Sequence, residues 1–140
     1  SVEKIVTINP IPTNLNTANK EELMVLGFSA DNATRIIKFR EGAGGIYHAD
    51  QLATVFGIDA AVLEAAKPYL LADANEITKI NINTATFEQL ANHVYISDEL
   101  AQAIVDYRNT TGIFYTLSEV RKVTGMYANR FEKLKPYLRR

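Results

Sequence analysis

The chain has 140 residues, 47% hydrophobic, 22% charged and 9% aromatic, which is enough apolar mass for one or two small cores. No run of about eighteen apolar residues is present, so no segment reads as a membrane-spanning helix. The lack of cysteine excludes a disulfide framework, a thiolate metal site and a cysteine nucleophile. Lys+Arg 15 against Asp+Glu 16 leaves a net charge of -1, so no global basic field draws the chain onto a polyanion.

The chain opens on Ser1, not Met. A processed beginning is therefore expected, and since such processing removes signal peptides and lipid anchors, the compartment stays open. Residues 1–13 hold Ile5-Val6-Thr7-Ile8 followed by two prolines and read as an extended arm. Asn16-Thr17 is expected to cap a helix over 19–26, and the spacing of Ala33, Ile36, Ile37 and Phe39 predicts a second helix running to Arg40. Gly42-Ala43-Gly44-Gly45 then breaks it. A third helix fits 48–55, with Gly57 as its stop, and a fourth fits 59–69. Residues 71–79 are polar and aperiodic at their centre, so they read as a linker between a domain at 14–70 and another at 80–140. Four further helices are expected over 86–93, 97–108, 117–124 and 128–138.

The second set of helices copies the first. Asn14-Leu15-Asn16-Thr17-Ala18 recurs as Asn81-Ile82-Asn83-Thr84-Ala85, and Lys67-Pro68-Tyr69-Leu70 recurs as Lys135-Pro136-Tyr137-Leu138. Between these anchors Ala33, Ile36, Arg40, Gly44, Tyr47, Val55, Gly57, Ala60 and Glu64 match Ala101, Ile104, Arg108, Gly112, Tyr115, Val123, Gly125, Ala128 and Glu132 at one offset. The opening anchor is one residue out of step, which places a single insertion near His93 to Tyr95. Two homologous units of roughly 60–65 residues result, each a compact bundle of about four short helices near the lower size limit for an independent fold.

The order of these motifs carries a resemblance. The first unit runs from the Asn-x-Asn-Thr-Ala anchor through Glu21-Glu22-Leu23, a hairpin, Ile36-Ile37-Lys38-Phe39-Arg40, a glycine loop with an aromatic, and a second hairpin closing on Lys-Pro-Tyr, and the second unit follows the same order. This resembles the helix-hairpin-helix pair of the ComEA competence family, nearly throughout from Asn14 to Leu138. The resemblance implies an all-α fold with two helix-hairpin-helix elements per unit. It also implies binding of double-stranded DNA without sequence preference, in a periplasmic or otherwise extracytoplasmic DNA-uptake role. A protein partner of an uptake machinery would accompany that role, with no cofactor.

The chemistry of such a hairpin is separable from the resemblance. A Gly-hydrophobic-Gly turn lets successive backbone amides and the next helix start point at one phosphate with no side chain in the way. Phosphate contacts give affinity without sequence information. The four turns here read Gly27-Phe28-Ser29, Gly57-Ile58-Asp59, Tyr95-Ile96-Ser97 and Gly125-Met126-Tyr127, so the second glycine is absent from all of them. Asp59 places a carboxylate where a phosphate would sit, and Tyr95 replaces the first glycine of hairpin three, which leaves hairpins one and four as candidates.

Charge favours the fourth. Residues 1–75 hold 6 Lys+Arg against 9 Asp+Glu, whereas residues 76–140 hold 9 against 7. The expected DNA contact is Gly125, Met126 and Tyr127, flanked by Arg121, Lys122, Arg130 and Lys133, with Gly27, Phe28 and Ser29 as a secondary site. The other reading of the same cations is a solvated helix face favoured by the helix dipole.

His48 and His93 lack a second ligand at metal spacing, so structural or surface roles are expected. Arg40 and Arg108 are expected to bond loop carbonyls or the helix dipole, and Tyr47, Phe114 and Tyr115 to plug the core of their units. Tyr69 and Tyr137 are expected to pack the closing end of each unit. No nucleophile with an adjacent base, nucleotide-cradling loop or paired acids are present, so no catalytic residue is expected. The alternative to DNA binding is a helical scaffold with degenerate hairpins that engages a protein partner or self-associates.

Overall fold

The computed structural model describes residues 10–140; the expected arm therefore lies largely outside the described residues. The first unit contains β1 (Thr13–Asn14), α1 (Lys20–Val25), α2 (Ala30–Ala43), a 3-10 helix (Ala49–Thr54), α3 (Ala60–Ala66) and β2 (Leu70–Leu71). The second contains β3 (Ile80–Asn81), α4 (Phe87–Ala91), α5 (Asp98–Thr110), α6 (Ser118–Thr124), α7 (Ala128–Leu134) and β4 (Leu138–Arg139). In each unit the two-residue strands pair in parallel, Thr13 with Leu70 and Ile80 with Leu138. The helices between them form the crossover that parallel pairing requires, so the short ladder clasps the start of a unit to its end.

The sequence periodicity is realised in two cores. Leu15, Leu23, Phe28, Ile36, Ile46, Leu52 and Leu63 fill the first. Ile82, Leu90, Ile96, Ile104, Phe114, Val120, Phe131 and Leu134 fill the second. Several local expectations change in detail. The cap of α1 is Asn19, whose side chain accepts from the Glu22 amide while Glu22 reaches back; Thr86 and Gln89 make the same box at α4. Asn16 instead spans to the glycine loop, accepting from the Ile46 amide at 2.7 Å and donating to its carbonyl at 2.8 Å. Asn83 does the same with Phe114. Helix α2 continues through Gly42 and Ala43 and ends only where Gly44 takes φ 81. The third element of the first unit is 3-10 rather than α, and 3-10 turns at Lys67–Tyr69 and Lys135–Tyr137, with proline near their starts, close both units.

Arg40 and Arg108 hold the opening loops. Arg40 donates from Nη1 to the carbonyls of Leu15 and Ala18 at 3.0 and 2.7 Å, and Arg108 to those of Ile82 and Ala85 at 3.0 and 2.6 Å. Each guanidinium thereby ties the first loop of its unit to the end of the long helix. Arg108→Met keeps the stem packing but leaves two carbonyls unpaired, and is expected to cost about 2 kcal/mol in a urea melt.

The two units also share a third cluster of Ala43, Ile77 and Tyr137, flanked by Phe39, Tyr47 and Tyr95. Gln51 donates to the Tyr137 hydroxyl at 2.8 Å and the Tyr95 hydroxyl at 3.2 Å. Tyr137 donates to the Gly45 carbonyl at 2.7 Å, and Tyr47 to the Lys133 carbonyl at 2.9 Å. The Val94 amide bonds the Gly42 carbonyl at 3.0 Å, and a Cβ on Gly42 would lie 2.6 Å from the Val94 side chain. Only glycine permits that approach. Tyr47 therefore packs between units instead of plugging its own core, and Tyr115, expected in the core of the second, is 68% exposed because Phe114 fills that position.

Candidate nucleic-acid interface

Hairpin four joins α6 to α7. Helix α6 ends at Gly125, whose φ of 69 is left-handed and whose amide donates to the Arg121 carbonyl at 2.9 Å. That amide is therefore spent on closing the helix, so the Gly125 N–H is not the phosphate donor the turn suggested. Met126 is 9% exposed and anchors the turn in the second core, while Tyr127 is 81% exposed. Among the described residues no hydrogen bond takes the Met126 or Tyr127 amides. Tyr127 stands at the N-cap of α7 in extended backbone and gives that helix no side-chain cap.

The other hairpins fill this position. Asp59 accepts from the amides of Ala61 and Val62 at 2.8 and 3.2 Å, so its carboxylate occupies the place of an anion. Ser29 takes the Asn32 amide and Ser97 the Leu100 amide, each at 3.1 Å. Hairpin one thus retains fewer open donors than its turn sequence suggested, and Phe28 is 3% exposed in the first core. Hairpin one lies beside hairpin two: a Cβ on Gly27 would meet Val62 at 3.6 Å, and Asn32 donates to the Gly57 carbonyl at 3.0 Å.

Hairpin four is paired with hairpin three. A groove of about 270 Å³ is lined by Ser97, Glu99 and Leu100 on one side and by Gly125, Met126, Tyr127 and Arg130 on the other. A second groove continues along Tyr95 and Ser97 to Arg130 and Lys133. The α5 start was missing from the site expected from sequence; that two hairpins of one unit share a face was the available signal. Arg130 and Lys133 are brought to these grooves, whereas Arg121 and Lys122 are exposed on the last turn of α6 and line neither. Among the described residues no carboxylate forms a salt bridge with any of the four cations. In the first unit Lys67, the repeat counterpart of Lys135, is by contrast held by Asp50 at 2.8 Å and Glu64 at 2.6 Å. Glu99 is the one acidic side chain on the groove wall. The Lys133 ammonium also lies 5.5 Å from the Tyr95 ring centroid.

Comparison with known proteins fits this architecture. A family model described as helix-hairpin-helix motif matches residues 9–71 and again 75–139. ComE operon protein 1 of Bacillus subtilis is 34% identical over 56% of this chain and 38% of its own length. Endonuclease/exonuclease/phosphatase family domain-containing protein 1 is 31% identical in Danio rerio and 30% in Homo sapiens, over 93% of this chain. The chain spans only 27% and 28% of those two proteins. No solved structure matches. With two tandem matches covering almost every residue and four hairpins joining the helices they describe, the chain belongs to the helix-hairpin-helix family.

Proposed function

We propose that this protein binds double-stranded DNA without sequence preference through the α6–α7 hairpin, working in DNA uptake outside the cytoplasmic membrane. The observation that carries the reading is the start of α7, which alone among the four helices that follow hairpins has no side-chain cap. Arg130 and Lys133 border it without carboxylate partners. A phosphate seated there accepts from backbone amides and meets the positive end of the turn, while Arg130 and Lys133 neutralise its neighbours. The likeness to ComE operon protein 1 supports the uptake setting. The match to the helix-hairpin-helix motif supports a binding role.

The first unit carries a second reading. Its hairpin two is closed to anions by Asp59, and Phe56 at that turn is 85% exposed, which suits a protein contact better than a phosphate. DNA binding by the second unit and protein binding by the first are compatible.

The test is anisotropy of the full chain with two labelled duplexes of unrelated sequence. Equal affinity for both is expected, with log K falling against log salt at a slope of about -3, as release of counterions from three or four phosphates requires. Absence of binding at low ionic strength overturns the proposal.

A further inference from the structure

The insertion that puts the two repeats out of step lies where the units touch. His93, 6% exposed, has its ring 4.6 Å from that of Tyr137 and 5.7 Å from that of Tyr95. Its Nδ1 accepts from the Tyr95 backbone amide at 3.0 Å. This contact fixes the chemistry of the ring. A nitrogen that accepts from an N–H carries no proton of its own, so the imidazole here is neutral with its hydrogen on Nε2. Nε2 is buried and makes no well-formed hydrogen bond, while the Ala43 backbone of the first unit interacts with the ring and favours its protonated form. A second proton on Nδ1 would set two donors against each other at the residue that docks hairpin three onto the first unit.

We propose that the contact between the two units is an acid-sensitive latch, closed while His93 is neutral and released when it is protonated. Tyr95 is the moving part. Its amide is held by His93, its hydroxyl accepts from Gln51, and its ring packs at 5.8 Å against Phe39 of the first unit. Protonation removes the first of these and places a cation among the rings of Tyr95 and Tyr137.

The surrounding charges do not reverse this. Glu41 lines an open groove beside His93, where it favours the imidazolium through water. The Lys133 ammonium on the Tyr95 ring opposes it. The phenols of Tyr47 and Tyr137 stay neutral, the first pushed up to about 12 and the second higher still by burial. Burial also holds His93 below its ordinary value of 6.5, against the weaker pull of the Ala43 backbone. The closed state therefore binds fewer protons than the open one. Its stability is complete above about pH 6.5 and falls as the pH drops below that value.

The absence of cysteine makes the test direct. Ala65→Cys in α3 and Asn109→Cys in α5, both exposed, place a donor dye on one unit of the full chain and an acceptor on the other. Energy transfer is expected to be constant above pH 7 and to fall between about pH 6.5 and 5, while far-UV circular dichroism stays unchanged. His93→Gln, whose amide oxygen still accepts from Tyr95 but never titrates, is expected to abolish the change, and His48→Gln to leave it intact. An undiminished acid transition in His93→Gln, or transfer that is flat to pH 5 in the unsubstituted chain, overturns the proposal. If His93→Gln does not fold, the His93 ring protons followed by NMR decide: titration at or above 6.5 with transfer unchanged refutes the latch.

Discussion

Replacing Arg130 and Lys133 together by glutamate is expected to lower duplex affinity on the order of 100-fold or more at low salt, and to make the salt slope shallower by about two. Two counterion-releasing contacts disappear, and two carboxylates then face the phosphates. The loss would be read as binding rather than unfolding, because Arg130 is the third residue of α7, where an acidic side chain complements the amide end of a helix. Lys133 bonds Tyr47 through its backbone carbonyl, which the substitution leaves in place. The matching change Lys20→Glu with Lys38→Glu, at exposed positions of the first unit, is expected to reduce affinity little.

A single substitution separates the amide contribution from the charges. Tyr127→Asp gives hairpin four the carboxylate cap that Asp59 gives hairpin two. It is expected to stabilise α7 by about 1 kcal/mol, since a good N-cap replaces none, and at the same time to weaken DNA binding at least tenfold. Opposite signs in the melt and in the titration are the signature of a site made of open amides. If binding survives Tyr127→Asp but not the double charge reversal, the cations alone hold the phosphate.

How much of this was legible from the sequence depends on the distance over which each feature is encoded. The repeat, the helices and the two cores follow from apolar spacing and turn glycines, all of them local. So does the closure of hairpin two, because Asp59 meets its amides within three residues. Caps were misplaced by a few residues because Asn16 and Asn19 are both good cap residues, and only the fold shows Asn16 turned toward Ile46. The contact between units was not legible, since no short-range rule brings Gln51 to Tyr137. Its signal was present as departures from the repeat. Gly27 becomes Tyr95 in the second copy because that turn docks on the first unit. Gln51 corresponds to Glu119, and both accept from the backbone amide of the loop tyrosine, at 2.7 and 3.4 Å. Only the amide of Gln51 also has protons to donate across the interface, which a carboxylate lacks. Breaks in an internal repeat therefore report where equivalent surfaces have different neighbours.

That asymmetry carries the largest expected change in stability. Tyr69 and Tyr137 occupy the same place in the repeat, yet Tyr137 is fully buried and Tyr69 only partly so. The Tyr137 ring meets those of His93 at 4.6 Å, Tyr47 at 5.3 Å and Tyr95 at 5.7 Å, and its hydroxyl is both donor and acceptor. Tyr137→Ala is expected to cost about 3–5 kcal/mol, the range for emptying a buried aromatic site. Tyr137→Phe keeps the ring but leaves the Gly45 carbonyl and one Gln51 proton unpaired, for a cost of about 1–3 kcal/mol. Tyr69→Ala removes a partly solvated ring with no partner unit behind it and is expected to cost clearly less than Tyr137→Ala. Urea midpoints of the three variants check the order. Equal losses for Tyr69→Ala and Tyr137→Ala would mean that the closing tyrosine serves its own unit alone and that the contact between units adds no stability.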